Sequence, residues 1–319
     1  MTTSEAQVDN WPRGASAIKQ YKNILLELFA KMGYDYEQEI PPVDTKFRTA
    51  MEDAFDLKNL SPTRRQAISH SFEVGLDFAS LVVSYLPEET RLLIGRYVVL
   101  AVYTADDAPD EMRVAMLEQF VQKFIKNEAH GDALLDHYDR LLRHDLSKHY
   151  GPFSTANVIK SCFQFLSTSA VEHHYANGFP VTSDSFPDWL RLKTGDGETY
   201  ALCLFPDALF PEQKLLGHFL PAIPDIAEWF DLTNDMLSYY KERVVGSEEN
   251  GYIVNRAAML GVTEMESLEV CAKQVGVLYD RITAVLSSNK DLLAAWKCAV
   301  NGYILFHIKQ PRYRLSDVF

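Results

Sequence analysis

Asn234, Ser238 and Glu242 recur every four residues in NDMLSYYKE, a spacing that on a helix stacks an amide oxygen, a hydroxyl and a carboxylate on one face. At about 100° and 1.5 Å per residue the three side chains spread over roughly 80° of arc and about 12 Å of rise, near enough to converge on one cation. All three offer oxygen, which suits a hard ion such as Mg2+ better than zinc. A second set of oxygen ligands lies upstream, where the apolar stretch LLIGRYVVLAVYTA runs into Asp106, Asp107, Asp110 and Glu111 in DDAPDE. Four carboxylates within six residues repel one another, and a multivalent cation between the two walls offsets that repulsion. Asp106 follows Val102 by four residues and Val99 by seven, so it belongs to the face that a buried helix turns inward. Pro109 disfavours a helical Ala108 and predicts a helix end there, which leaves the direction of Asp110 open.

Together with the closing PRYRLSD, these motifs resemble the class I terpene synthases, and among them the fungal trichodiene synthase family. The likeness is strongest from about Gly151 to Asp317, through GPF, NGFP, WLRLKTG and the terminal Arg-Tyr pair, whereas residues before about Leu60 carry no motif of it. The resemblance implies an all-α fold, a class I terpenoid synthase helical bundle, that ionises a prenyl diphosphate with three Mg2+ ions and cyclises the carbocation. The activity it implies is that of a sesquiterpene synthase acting on farnesyl diphosphate. Asp106 would ligate metal from one wall and Asn234, Ser238 and Glu242 from the other. Arg191 would sense the diphosphate, with Lys241, Arg312 and Tyr313 as its other donors and Asp107 as the partner of Arg312 in the closed site. Gly195 would mark the helix break that faces the substrate cation. Pro109 and Thr194 depart from the family pattern, Thr194 standing where some relatives carry an acidic or amide linker to the sensor. A chain-elongating prenyl synthase would carry a second aspartate-rich motif in place of NDMLSYYKE, and a non-catalytic helical binding protein would have no need of both metal motifs.

Ionisation chemistry calls for these residue types whatever the family. Diphosphate leaves an allylic carbon only when its developing charge is neutralised, which Mg2+ and a ring of donors can do. Arg191 and Arg312 offer planar forks, Lys241 a point charge and Tyr313 a hydroxyl. Below the metals the pocket should be apolar, because water would trap the cation. Phe230, four residues before Asn234, extends the ligand face with Ile226, and Tyr103 precedes Asp106 by three. Tyr303 with Phe306, together with Phe163, Phe165 and Trp229, supplies further aromatic faces whose quadrupoles stabilise cations. Pro311 should end the last helix, so that Arg312 and Tyr313 lie on a segment free to close over the diphosphate.

These groups need helices to hold them, and helical periodicity runs through SAIKQYKNILLELFAKMG, RRQAISHSFEVGLDFASLVVSYL, DEMRVAMLEQFVQKFIKN, STANVIKSCFQFLSTSAVEHHY, PDIAEWFDLTNDMLSYYKERV and NKDLLAAWKCAVNGYILFHIK. No pair of alternating strands competes with them. GPF, GFPVTSDSFP and KTGDGE read as turns between them. With 319 residues, 47% of them hydrophobic, and neither linker nor repeat, residues 1–319 read as one domain. A net charge of −13 argues against a nucleic-acid surface while leaving room for a local cationic site. Cys162, Cys203, Cys271 and Cys298 lack CxxC spacing and read as reduced core thiols of a cytoplasmic protein. The adjacent His173 and His174 point to different helix faces and make a poor metal pair. The polar N-terminus carries no signal peptide, and the longest apolar run, cut by Arg96, is too short for a membrane span. The small-molecule partner that the resemblance implies is a prenyl diphosphate; nucleic acid and membrane insertion are not expected, and there is room for a homodimer.

Overall fold

A computed structural model describes residues 15–42, 44–57, 59–107, 110–175, 179, 183–246 and 251–319, apart from the side chains of residues 15, 106–107 and 110–113. Among the described residues the protein is all-α, with no strand. The order is α1 (Ala15–Met32), α2 (Thr45–Ala54), α3 (Pro62–Leu81), α4 (Glu88–Val102), α5 (Asp110–Lys126), α6 (Ala133–Arg140) and α7 (Pro152–His174). There follow α8 (Phe186–Thr194), α9 (Gly197–Cys203), α10 (Glu212–Phe219), α11 (Ile223–Tyr239), α12 (Tyr252–Leu260), α13 (Glu264–Leu286) and α14 (Lys290–Lys309). Each of the six periodic segments becomes a helix, with ends set by local chemistry. Pro62 occupies the first turn of α3 behind the Ser61 cap, and Pro152 opens α7, so GPF starts that helix rather than forming a separate turn. Periodicity alone did not single out α13, although Thr263 and Glu266 close a capping box at its start.

Three helices leave the α register among the described residues, α6 over Leu141–Asp145 and two others beside a large cavity. α4 passes into a π-helical turn over Tyr103–Asp107, and α11 into another over Tyr240–Val245. Such turns inside α-helices cluster at functional sites.

The core runs continuously through the bundle, with α11 against α9 and α13 and with α3 between α4 and α14. Glycines let α3 approach both neighbours. A Cβ on Gly75 would stand 2.5 Å from the Gly95 carbonyl oxygen of α4, and one on Gly302 of α14 would stand 2.1 Å from the Leu81 carbonyl oxygen. α11 is pinned from behind, where the buried Tyr21 hydroxyl of α1 donates to the Met236 carbonyl at 2.6 Å. At its C-terminal end Tyr239 and Arg243 both bond Glu264 in the first turn of α13. All four cysteines are free thiols, three of them buried. No helix among the described residues is long and apolar enough to cross a membrane.

Candidate active site

α8, α11 and α14 meet around the mouth of a cavity of about 1140 Å³, slightly above the roughly 300–1,000 Å³ of small-molecule sites. α11 and the π turn that follows it bring Asn234 and Glu242 to one side of it, with Ser238 bonded to Glu242. In an unbroken α-helix each step of four overshoots a full turn by about 40°. A turn closed by i→i+5 bonds holds more residues, so the π segment shortens the overshoot and returns Glu242 toward Ser238. The buried Ser238 hydroxyl donates to Glu242 Oε2 at 2.8 Å, and Lys241 Nζ reaches Glu242 Oε1 at 3.3 Å. Three oxygen donors of mixed charge on one face, with no sulfur and no ring nitrogen among them, fit a hard cation. The other wall rises from the π turn at Tyr103–Asp107, but the side chains of Asp106, Asp107, Asp110 and Glu111 lie outside the described residues.

Arg191 of α8, one of two arginines that line this cavity, is not idle. Its Nε donates to both oxygens of Asp235 at 2.8 Å, and its Nη2 to the Asp231 carbonyl at 2.9 Å and to Asn234 Oδ1 at 3.4 Å. Its Nη1 lies 3.7 Å from Asp231 Oδ1, an oxygen with no hydrogen-bond partner of its own. Burial works against the cation, but Asp235 and Asp231 outweigh it and hold the guanidinium pKa well above its ordinary value. Burial likewise pushes Asp231 up to about 7 and Asp235 to about 6, against the pull of Arg191. The sequence reading missed both carboxylates. Their signal was present, because Asp231 and Asp235 are four apart on α11 and Asp235 directly follows Asn234.

Gly195 stands where α8 gives way to α9. A Cβ there would fall 2.0 Å from Asp231 Oδ1 and 2.4 Å from Arg191 Nη1, so the chain break, the carboxylate and the guanidinium fill one space. Thr194 donates to the Leu190 carbonyl at 3.2 Å within its own helix. Asp196 takes the left-handed φ of 54° that starts α9, a conformation aspartate tolerates better than most residues. Its buried carboxylate accepts from Tyr97 at 2.7 Å, Ser161 at 2.8 Å and Thr199 at 2.7 Å, and burial raises its pKa to about 6. A carboxyl raised from 3.8 to about 6 adds stability that is complete below pH 4 and is lost as pH rises through 6. The stability difference between wild type and Asp196→Asn should therefore fall by about 2 kcal/mol between pH 4 and pH 7, read from denaturant melts. A difference that does not change with pH would sink this assignment.

α14 closes the far side. Burial holds its His307 neutral, with a pKa lowered to about 3. The ring bonds the Tyr303 carbonyl through Nδ1 at 2.8 Å and Asn234 Nδ2 through Nε2 at 3.2 Å. The Tyr313 ring packs 4.2 Å from it. Arg312 Nη1 lies 3.5 Å from His70 Nε2. The expectation of a free C-terminal segment gives way here. Just before Pro311, Gln310 donates to Asp77 at 2.5 Å and to the Glu73 carbonyl at 3.1 Å, while Lys309 reaches Asp77 at 2.7 Å. Beyond Arg312, Tyr313, Leu315 and Val318 are buried and Phe319 stacks on Phe29. Pro311 does end the helix, but hydrogen bonds from Lys309 and Gln310 before Arg312 and apolar burial after it fasten the segment down.

Below the mouth the cavity is walled by aromatic rings. Phe230 and Tyr303 meet edge to face at 4.7 Å, and Phe165, Phe306 and Tyr313 also line it. Phe78 of α3 and Tyr200 of α9, 5.2 Å apart, complete this wall and escaped the sequence reading, since both helices bury most of their surface and show no single lining face. Four expected wall residues lie elsewhere. Trp229 is rotated by one residue from Phe230 and packs on Trp296 at 4.9 Å, and Ile226 is buried in the core. Tyr103 turns toward Arg64, whose Nη1 is 3.5 Å from its hydroxyl. Phe163 meets Phe124 and borders a separate surface groove between α5 and α7.

The model of the trichodiene synthase (TRI5) family matches residues 44–319. The chain is 30% identical over 308 residues to the (E)-beta farnesene synthase of Metarhizium brunneum, covering 94% of this chain and 90% of that one. It is 28% identical over 305 residues to the alpha-cuprenene synthase COP6 of Coprinopsis cinerea, covering 93% and 90%. To the trichodiene synthase of Fusarium pseudograminearum it is 30% identical over 219 residues, or 67% of this chain and 56% of that one. The chain belongs to the trichodiene synthase family of terpene cyclases.

Proposed function

We propose that this enzyme is a sesquiterpene synthase that ionises farnesyl diphosphate and cyclises the resulting cation. The observation that carries the reading is the meeting, at one cavity mouth, of Asn234, Arg191 and Glu242, the last bonded by Ser238, above a wall of Phe78, Tyr200, Phe230, Tyr303 and Phe306. Class I terpene synthases use Mg2+, and here three ions would be held between Asp106 on one side and Asn234, Ser238 and Glu242 on the other. When bound, they neutralise the charge that develops on the departing diphosphate.

The protein's own groups do the rest. Arg191, Lys241, Arg312 and Tyr313 would donate to the diphosphate oxygens, and Asp107 would steady Arg312. Arg191 must then exchange part of its bonding with Asp235 and Asp231 for the anion, which links diphosphate arrival to the Gly195 break. The rings below would stabilise cationic intermediates by about 0.5–2 kcal/mol each and would exclude water. We also propose that residues 1–319 act as one domain, in the cytoplasm, without nucleic acid and with the option of a homodimer.

Incubation with farnesyl or geranylgeranyl diphosphate and Mg2+, followed by mass spectrometry of volatiles, tests this. A C15 product made only from farnesyl diphosphate and only with Mg2+ is expected. Metal-dependent diphosphate release only on addition of isopentenyl diphosphate would replace the reading with chain elongation, and no release would remove it. Phe230→Leu and Tyr303→Leu should redistribute products while changing substrate consumption less than about 10-fold, because ionisation belongs to the metal end. Identical product profiles from both variants would return these rings to a packing role.

A further inference from the structure

We propose that His307 is a positioning residue that sets the amide of Asn234 so that its oxygen, and not its nitrogen, is presented to metal. The argument starts from the ring. His307 is wholly buried on α14, its ring plane fixed between Tyr303 at 4.5 Å and Tyr313 at 4.2 Å. Nδ1 lies 2.8 Å from the Tyr303 carbonyl oxygen. A carbonyl only accepts, so Nδ1 carries the hydrogen, and in the neutral ring Nε2 then bears the lone pair. Nε2 lies 3.2 Å from the Asn234 amide, which must therefore offer an N–H in that direction. The amide oxygen is left on the opposite side, where Arg191 Nη2 donates to it at 3.4 Å.

An acceptor on one side and a donor on the other thus impose the same orientation. Without His307 only Arg191 would distinguish the two ends of the amide, and that contact is long while the guanidinium is held chiefly by Asp235 at 2.8 Å. A reversed amide would turn its NH2 toward the cation. Groups behind a metal ligand commonly change metal affinity by about 10–100-fold when removed.

The inference rests on reading Asn234 as a metal ligand, and its test separates the two ideas. Mn2+ taken up in the presence of inorganic diphosphate is titrated by the electron paramagnetic resonance of free Mn2+, with thermal melts run alongside. His307→Leu should weaken uptake about 10–100-fold and His307→Gln, which keeps an acceptor, should recover most of it. Asn234→Asp supplies the control, since a carboxylate has no wrong end. In that background His307→Leu should change Mn2+ uptake less than twofold. Wild-type uptake by His307→Leu, alongside a loss in Asn234→Ala, would overturn the positioning role and leave the metal site standing. Unchanged uptake in Asn234→Ala would overturn both. Should His307→Leu not fold, the comparison of His307→Gln with His307→Phe decides: equal uptake by these two overturns the proposal.

Discussion

Asn234→Ala and Glu242→Ala should each lower turnover by about 100-fold or more and raise the Mg2+ concentration needed to reach it. Both effects have one cause, the loss of an oxygen from the face that α11 presents to the cavity. Stability should barely follow in the Glu242 variant. Its carboxylate is 28% exposed and bonds Ser238 and Lys241, the latter itself 29% exposed, so no deeply buried charge is stranded when it goes. Steady-state kinetics across a Mg2+ titration, with circular dichroism to verify helix content, makes the measurement. Near-wild-type turnover at every concentration would dismiss these ligands.

Arg191→Met should do damage of a different kind, unfolding the protein more easily as well as silencing it. Asp231 and Asp235 have side chains only 4% and 11% exposed, and Arg191 is the cation that both face. Removing one partner from such a cluster costs about 3–5 kcal/mol, which in a chain of this length lowers the melting temperature by roughly 5–15 °C. Arg191→Lys keeps the charge and loses the fork. It should melt within a few degrees of wild type and still turn over at least about tenfold more slowly, because an ammonium cannot bond both oxygens of Asp235 and also reach the Asp231 carbonyl. If Arg191→Met melts like the wild type, the buried pair is not what holds α8 to α11.

How much of this was legible beforehand depended on whether the interaction was local. The Asn234, Ser238 and Glu242 stack could be read because one helix carries all of it, and the long helices could be read because their apolar stripes repeat. The π turn that adjusts Glu242 left no such trace, since nothing in NDMLSYYKE distinguishes an i→i+5 bond from its α counterpart. Asp235 looked like the polar companion of Asn234. Its partner lies 44 residues earlier, and only the crossing of α8 over α11 brings them together. His307 was hidden in the same way, because its role requires α14 to lie beside α11. Pro311 correctly marked a helix end, yet composition gave no weight to the burial of Gln310, Tyr313 and Leu315 that ties the following residues down.

The close seating of α3 bears on how such an enzyme could be diversified. Gly75 and Gly302 bring its backbone against α4 and α14 with no space for a methyl group, so the helix that carries Val74 and Phe78 into the cavity can neither slide nor tilt without breaking both contacts. The floor is rigid. New product outcomes on this scaffold should come from exchanging rings at Phe78, Tyr200, Phe230 and Phe306 while the helices stay in place. A mutant library spread evenly along α3 would yield mostly unfolded members at Gly75 and altered chemistry at Phe78.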